Sequence, residues 1–177
     1  MMLPSDAIMV HSAFPQNEEG ILKCLAAAYD PYRADYSPEA FADKILNRAT
    51  LRNQIDDFRV WVAVRGERVV GTITCIELGG DPPDPHEYPV GSYIAEPREG
   101  HIIEMAVLPE EQGSTVAAFL LQMAEQRLKI ESCTWISVNV AEHLVRAQHF
   151  FPKHGYIASG QVRDVSGMRL IEYVKNF

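Results

Sequence analysis

The chain has 177 residues, 47% hydrophobic and 23% charged, with a formal net charge of −8 at pH 7. That length and balance describe a single globular domain spanning residues 1–177, large enough to fold without disulfides or metal. The acidic balance argues against a nucleic-acid binder, which needs a basic stripe to neutralise phosphates, and no apolar run approaches the ~20 residues of a membrane span.

Met1 to Val10 contains no basic segment followed by an apolar one, so no secretory leader is expected and the cytoplasm is the expected location. The three cysteines, Cys24, Cys75 and Cys133, are far apart and form no C-x-x-C pair. That spacing suits neither a disulfide framework nor a zinc site, and no metal is expected.

Ala7 to Ala13 alternates weakly and opens the chain as a strand. Asn17 to Tyr29 reads as a helix, with Asn17 as cap, Glu18 and Glu19 in the first turn, and Ile21, Leu22, Leu25 and Ala28 on one face. Ser37-Pro38 starts a second helix with the stripe Phe41, Ile45, Leu46. Phe58 to Val64 and Val69 to Leu78 form a hairpin about Gly66-Glu67. Gly79 to Gly100 carries five prolines and five acids, Asp81, Asp84, Glu87, Glu96 and Glu99, and is too proline-rich for a central strand. His101 to Leu108 is a strand ended by Pro109. A helix follows, with Val116, Phe119, Leu120 and Met123 as its buried face. Cys133 to Ala141 is a strand, Val145 to Lys153 a helix closed by Gly155, and Tyr156 to Gly160 with Met168 to Val174 a last pair. The order is β-α-α-β-β-β-α-β-α-β-β. It predicts an α/β fold: a mixed, mostly antiparallel sheet of six or seven strands flanked by about four helices.

The informative stretch runs from Ile103 to Ala117, where an apolar strand ends at Pro109 and a short loop opens an amphipathic helix. The first turn of a helix leaves four N–H groups unpaired, and with the dipole behind them they suit phosphate oxygens. The backbone alone can do this, and the loop has no lysine or arginine.

This stretch resembles the central motif of the GNAT superfamily of acyl-CoA-dependent N-acetyltransferases. Met105-Ala106-Val107-Leu108-Pro109 is similar to its x-A-V-x-P strand end. Gln112-Gly113-Ser114-Thr115-Val116-Ala117 is similar to its [Gln/Arg]-x-x-Gly-x-[Gly/Ala] loop, with Thr115 in place of the middle glycine. Arg146 to Tyr156 resembles the family's A-x-x-F-Y-x-K-x-G-F motif, and the hairpin from Trp61 to Ile73 resembles its V-A-x-x-x-x-V-V-G segment.

The resemblance implies a V-shaped opening between the strands at His101–Leu108 and Cys133–Ala141, holding acetyl-CoA. Its pyrophosphate would meet the N–H groups of Gly113, Ser114, Thr115, Val116 and Ala117 beside Gln112. Its acyl carbonyl would lie near Met105, Ala106 and Val107. Phe151 stands where the family commonly has a tyrosine that protonates the leaving thiolate, and Leu144 where it often has asparagine. A thiolate of pKa near 8.5 leaves without a dedicated acid.

The resemblance also implies an acid–base residue on the His101 strand. His101 is the first candidate, being suited to proton transfer at neutral pH. Strict alternation puts it on the face of Ile103 and Met105, with Glu104 on the other. Glu104 is the alternative, because a bulge in the strand would swap the faces. Tyr32, Arg33 and Tyr36 lie where the family often contacts its acceptor. The acceptor is expected to be a small-molecule amine, with the acidic Asp81–Glu99 segment as a lip favouring a cation. A non-catalytic acyl-CoA-binding module on the same fold is the alternative. The closing strand Met168–Val174 is a candidate for pairing across a homodimer.

Overall fold

A computed structural model describes residues 7–79 and 98–177. The strands are β1 (Ile8–Ser12), β2 (Arg59–Arg65), β3 (Arg68–Leu78), β4 (Glu99–Val107), β5 (Trp135–Ala141), β6 (Ile157–Val165) and β7 (Met168–Asn176). The helices are α1 (Glu18–Tyr29), α2 (Pro38–Ile45), α3 (Arg48–Asp57), α4 (Val116–Ile130) and α5 (Val145–Lys153). The strands form one seven-stranded sheet in the order β1-β2-β3-β4-β5-β7-β6. Every neighbouring pair is antiparallel except β4 and β5. The α/β fold with a mostly antiparallel sheet is the one the sequence predicts.

The helix count differs by one. α3 buries only Leu51, with Ile55 packed partly beside it, too few apolar residues among polar ones to announce a helix. Its one local mark is Asn47, whose side chain accepts from Thr50 N at 2.9 Å as an N-cap. α2 starts as expected, with Ser37 Oγ accepting from Ala40 N at 3.2 Å and Pro38 at the first helical position. Ser37→Ala is expected to cost about 1 kcal/mol, read as a lower urea midpoint at unchanged slope.

The two faces of the sheet are covered by different helices. α1 packs on β3 and β4 through Ile21, Cys24, Leu25, Ala28 and Tyr29. α4 packs on the opposite face through Val116, Leu120, Leu121, Ala124 and Leu128, all essentially excluded from solvent. Two glycines let α4 come close. A Cβ on Gly71 would lie 2.8 Å from Val116 Cγ1, and one on Gly100 would lie 2.6 Å from Leu128 Cδ1. Gly71, Gly100 and the residues paired with them therefore define the α4 face.

The three cysteines are buried free thiols. Desolvation pushes Cys24 and Cys75 up to about 12 and Cys133 to about 11, so they act as small apolar residues. Among the described residues no His, Cys, Asp and Glu cluster could hold a metal, and no helix is long and apolar enough to cross a membrane.

Two expectations change at the ends of the sheet. β7 lies between β5 and β6, so both its edges are paired and it cannot also pair across a dimer. The free edge at that end of the sheet belongs to β6, which is exposed along its whole length. The proposed acidic lip at Asp81, Asp84, Glu87 and Glu96 lies outside the described residues, and of that segment only Glu99 enters β4.

Candidate active site

β4 and β5 run parallel over four paired positions, from Glu99↔Trp135 to Ile102↔Val138. Beyond them the strands part, β4 continuing to Val107 and β5 to Ala141. Two cavities occupy the opening. The first, of about 370 Å³, is lined by Met105, Ala106 and Val107, by Gln112, Gly113 and Ala117, by Ala28, Tyr29 and Tyr32 of the α1 side, and by the α5 residues Arg146, Ala147, His149, Phe150 and Lys153 with Leu144. The second, of about 290 Å³, is lined by His101, Glu104, Lys44, Asp43, Asn139, Phe151 and the β6–β7 turn among others. Tyr29, Met105, Leu144 and Ala147 line both, so the two chambers meet at these four residues.

The position of the titratable groups turns on one irregularity. Ile102 pairs with Cys75 and Glu104 with Thr74, so Ile103 is an extra residue in β4. Cys75 and Thr74 are neighbours and point to opposite faces, and their partners Ile102 and Glu104 therefore do too. Ile102 shares the α4 face with Gly100. His101 and Glu104 both lie on the face of α1 and α2, and both line the second chamber. The strict alternation expected from sequence, with His101 and Glu104 on opposite faces, is thus overturned by the bulge.

Glu104 is 7% exposed and held by two groups from the helical layer. The Tyr29 hydroxyl donates to its Oε1, and Lys44 Nζ lies 3.7 Å from its Oε2. Burial raises its pKa in spite of Lys44 and Tyr29, which both pull it down. The Tyr29 hydroxyl is itself pushed well up, first by burial and then by the charge of Glu104. His101 has the opposite shift. Burial holds it below 6.5, while Glu99 and Glu172 oppose that and Arg163 adds to it. A histidine of this kind is neutral, and so able to accept a proton, at physiological pH.

The loop before α4 is shaped for an anion. Gly113 has φ +84, a left-handed conformation that glycine alone adopts without strain, and it lines the first chamber. Two of the five expected N–H donors are taken: Ser114 N bonds Glu111 O at 3.1 Å, and Val116 N bonds Ser114 Oγ at 3.3 Å. Gly113, Thr115 and Ala117 have no acceptor for their N–H groups among the described residues. Gln112 turns inward, its Nε2 donating to Val107 O at 3.2 Å. The side chains of Ser114, Thr115 and Val116 line neither chamber, and Val116 is buried against Gly71. The loop acids are neutralised from the β2–β3 hairpin, Glu111 by Arg65 at 3.0 Å and Glu110 by Arg68. Opposite the loop, Arg146, His149 and Lys153 come from one face of α5. They were not singled out from sequence, although their three- and four-residue spacing marks a common helical face.

Other expected site residues are redistributed. Tyr32 lines the first chamber, where the cofactor was expected, and not the acceptor side. Tyr36 is buried, with its ring edge-on to His143 at 4.6 Å. Arg33 lies on the surface, paired with Asp30 at 3.2 Å and stacked 4.3 Å over Phe41, and lines neither chamber. Phe151, expected beside the cofactor, packs on Tyr156 and Tyr173 and lines the second chamber only.

The sheet thus opens between two parallel strands onto two adjoining chambers, one bordered by the loop before α4 and the other by titratable groups. The sequence matches the acetyltransferase (GNAT) family over residues 22–156, and the chain belongs to that family. Membership carries acyl-CoA-dependent acetyl transfer as the general activity. Solved structures of the same fold include the GCN5-related N-acetyltransferase of Rhodopseudomonas palustris, which is 19% identical with a TM-score of 0.69, covering 100% of this chain and 99% of that one. They also include the PaiA N-acetyltransferase of Thermoplasma acidophilum in complex with coenzyme A, at 18% identity and a TM-score of 0.71, covering 97% of this chain and 99% of that one. The ribosomal-protein-alanine N-acetyltransferase of Brucella melitensis is 13% identical with a TM-score of 0.68, covering 96% and 99%. No curated protein sequence is significantly similar to this chain.

Proposed function

We propose that the protein transfers an acetyl group from acetyl-CoA to a small amine by direct attack, with the coenzyme in the first chamber and the amine in the second. The observation that carries this reading is the meeting of the two chambers at Tyr29, Met105, Leu144 and Ala147. The residues of the first chamber suit the coenzyme. The open N–H groups of Gly113, Thr115 and Ala117 at the start of α4 match a pyrophosphate, and Arg146 and Lys153 add positive charge across from them. The bound coenzyme supplies an acetyl group activated as a thioester.

In the second chamber Asn139 Oδ1 is buried without a hydrogen-bond partner, an acceptor placed for an N–H of the amine. The amine must reach the carbonyl as a free base with its lone pair aimed at the acyl carbon. As the C–N bond forms and the C–S bond breaks, His101 takes the amine's proton and the thiol leaves as thiolate. Glu104, with Tyr29 and Lys44, sets the charge at the junction of the chambers. Phe151 contributes shape to the acceptor chamber and no proton.

Titration calorimetry with acetyl-CoA tests the cofactor half. Wild type is expected to bind, Gly113→Pro to lose binding through its missing N–H and impossible φ, and Lys153→Ala to bind several-fold more weakly, with a smaller dependence on salt. Thiol release with a panel of small amines tests the rest. Binding without turnover on any amine would instead make this an acyl-CoA-binding module. A homodimer of this chain would form along β6, whose outer edge carries exposed Ile157, Val162 and Val165. Light scattering of Val162→Lys against wild type reads that association.

A further inference from the structure

His101 is the end of a hydrogen-bonded chain that crosses the β4–β5 seam. Its Nδ1 lies 2.7 Å from Ser137 Oγ, and the Ser137 hydroxyl donates to Glu99 Oε1. The parallel register places His101 opposite Ser137 and Glu99 opposite Trp135, and residues two apart on a strand project from one face. The sheet itself therefore brings the three side chains together. Ser137 is 1% exposed, so its hydroxyl answers to these neighbours rather than to bulk water.

The protons can be counted along this chain. An ionised carboxylate only accepts, and a serine hydroxyl has one proton to give. That proton goes to Glu99. Ser137 Oγ can then meet the imidazole only as an acceptor, so Nδ1 carries the ring proton and Nε2 carries the lone pair. Among the described residues Nε2 has no hydrogen-bond partner, and His101 lines the acceptor chamber. The charges around the ring are Glu99 on its own strand, Glu172 on β7 and Arg163 on β6, with Asp43, Lys44 and Glu104 lining the same chamber.

We infer that Glu99 and Ser137 are positioning residues that fix His101 in the Nδ1–H tautomer, presenting Nε2 as the proton acceptor. The inference rests on the proposed role of His101 as base, and it assigns function to two residues that line neither chamber. The same chain keeps its directions after proton uptake. The imidazolium still donates from Nδ1 to Ser137, whose hydroxyl still donates to Glu99, so no bond reverses during turnover.

Long-range ¹H–¹⁵N NMR of His101 in the full chain at pH 8 reads the tautomer without any need for activity. Wild type is expected to show a protonated Nδ1 and an unprotonated Nε2. Ser137→Ala and Glu99→Leu are expected to show a mixture of tautomers, and Ser137→Thr, which keeps a hydroxyl, is expected to restore the wild-type pattern. A protonated Nε2 in wild type, or a pattern unmoved in Ser137→Ala, overturns the inference. In amine acetylation, kcat of Ser137→Ala and Glu99→Leu is expected to fall about 10- to 100-fold with KM little changed, and Ser137→Thr to recover it. If His101→Ala proves as active as wild type, the base assignment fails, and the NMR result still decides whether Glu99 and Ser137 order the ring.

Discussion

His101→Ala is expected to lower kcat/KM for amine acetylation by about 10²- to 10⁴-fold, the range a positioned general base contributes. The variant is expected to bind acetyl-CoA as wild type does, because His101 lines the second chamber and not the first. The pH profile gives the sign. Burial holds the His101 pKa below 6.5 against the opposing charges of Glu99 and Glu172. The base works in its neutral form, so the acid limb of kcat/KM is expected below pH 6.5 and absent from the variant. A variant that raised KM alone, with kcat and the acid limb intact, would make His101 a contact for the acceptor and not its base.

Tyr29→Phe is expected to destabilise the protein by about 1.5–3 kcal/mol near pH 8, the worth of a hydrogen bond to a charged group. The variant leaves the buried Glu104 carboxylate with Lys44 as its remaining partner. The pH dependence follows from linkage. Glu104 already has a folded-state pKa above its ordinary 4.5, so its contribution to stability is complete below the unfolded value and is lost as pH rises through the folded one. The Tyr29 hydroxyl pulls that folded pKa down, so removing it moves the pKa further up. The deficit is then largest where Glu104 is ionised and shrinks as acid returns the proton to it. Urea unfolding of the variant and wild type at pH 8 and pH 5 checks this, and in a Glu104→Gln background the difference between the two pH values is expected to vanish. A deficit equal at both pH values would mean that Tyr29 stabilises by packing alone.

Much of this architecture is written locally in the sequence. The Ser37-Pro38 start of α2, the hairpin about Gly66 and the strand–loop–helix at Pro109 to Val116 each depend on neighbours within a few residues, and each appears where those residues predict it. α3 escaped because its apolar face is only Leu51 and Ile55, too short a stripe in an otherwise polar segment. Arg146, His149 and Lys153 were detectable as a helical face, and became meaningful only when α5 was seen to oppose Gly113.

The centre of the site was not legible in the same way. Tyr29 reaches Glu104 across 75 positions of sequence, and the end of an amphipathic helix gives no sign of such a partner. Ser137 reads as one more residue of an apolar strand until the β4–β5 register sets it beside His101. The face of Glu104 stayed open between two readings for a related reason. Alternation is a property of side-chain pattern, whereas a bulge is a property of the hydrogen-bond ladder with β3, which the pattern does not contain.

That single extra residue ties the geometry of the site to the register of β4 against β3. Deleting Ile103 would make the pairs Ile102↔Cys75 and Glu104↔Thr74 directly adjacent, a regular ladder in which His101 and Glu104 stand two positions apart on the same face. If the bulge were instead smoothed out with Ile103 kept in the ladder, either His101 would swing under α4, in the space that Gly100 leaves for Leu128, or Glu104 would leave Tyr29 and Lys44 for that same wall. The hydrogen-bond register against β3, more than the identity of any side chain, decides whether this strand turns one titratable group into the chamber or two.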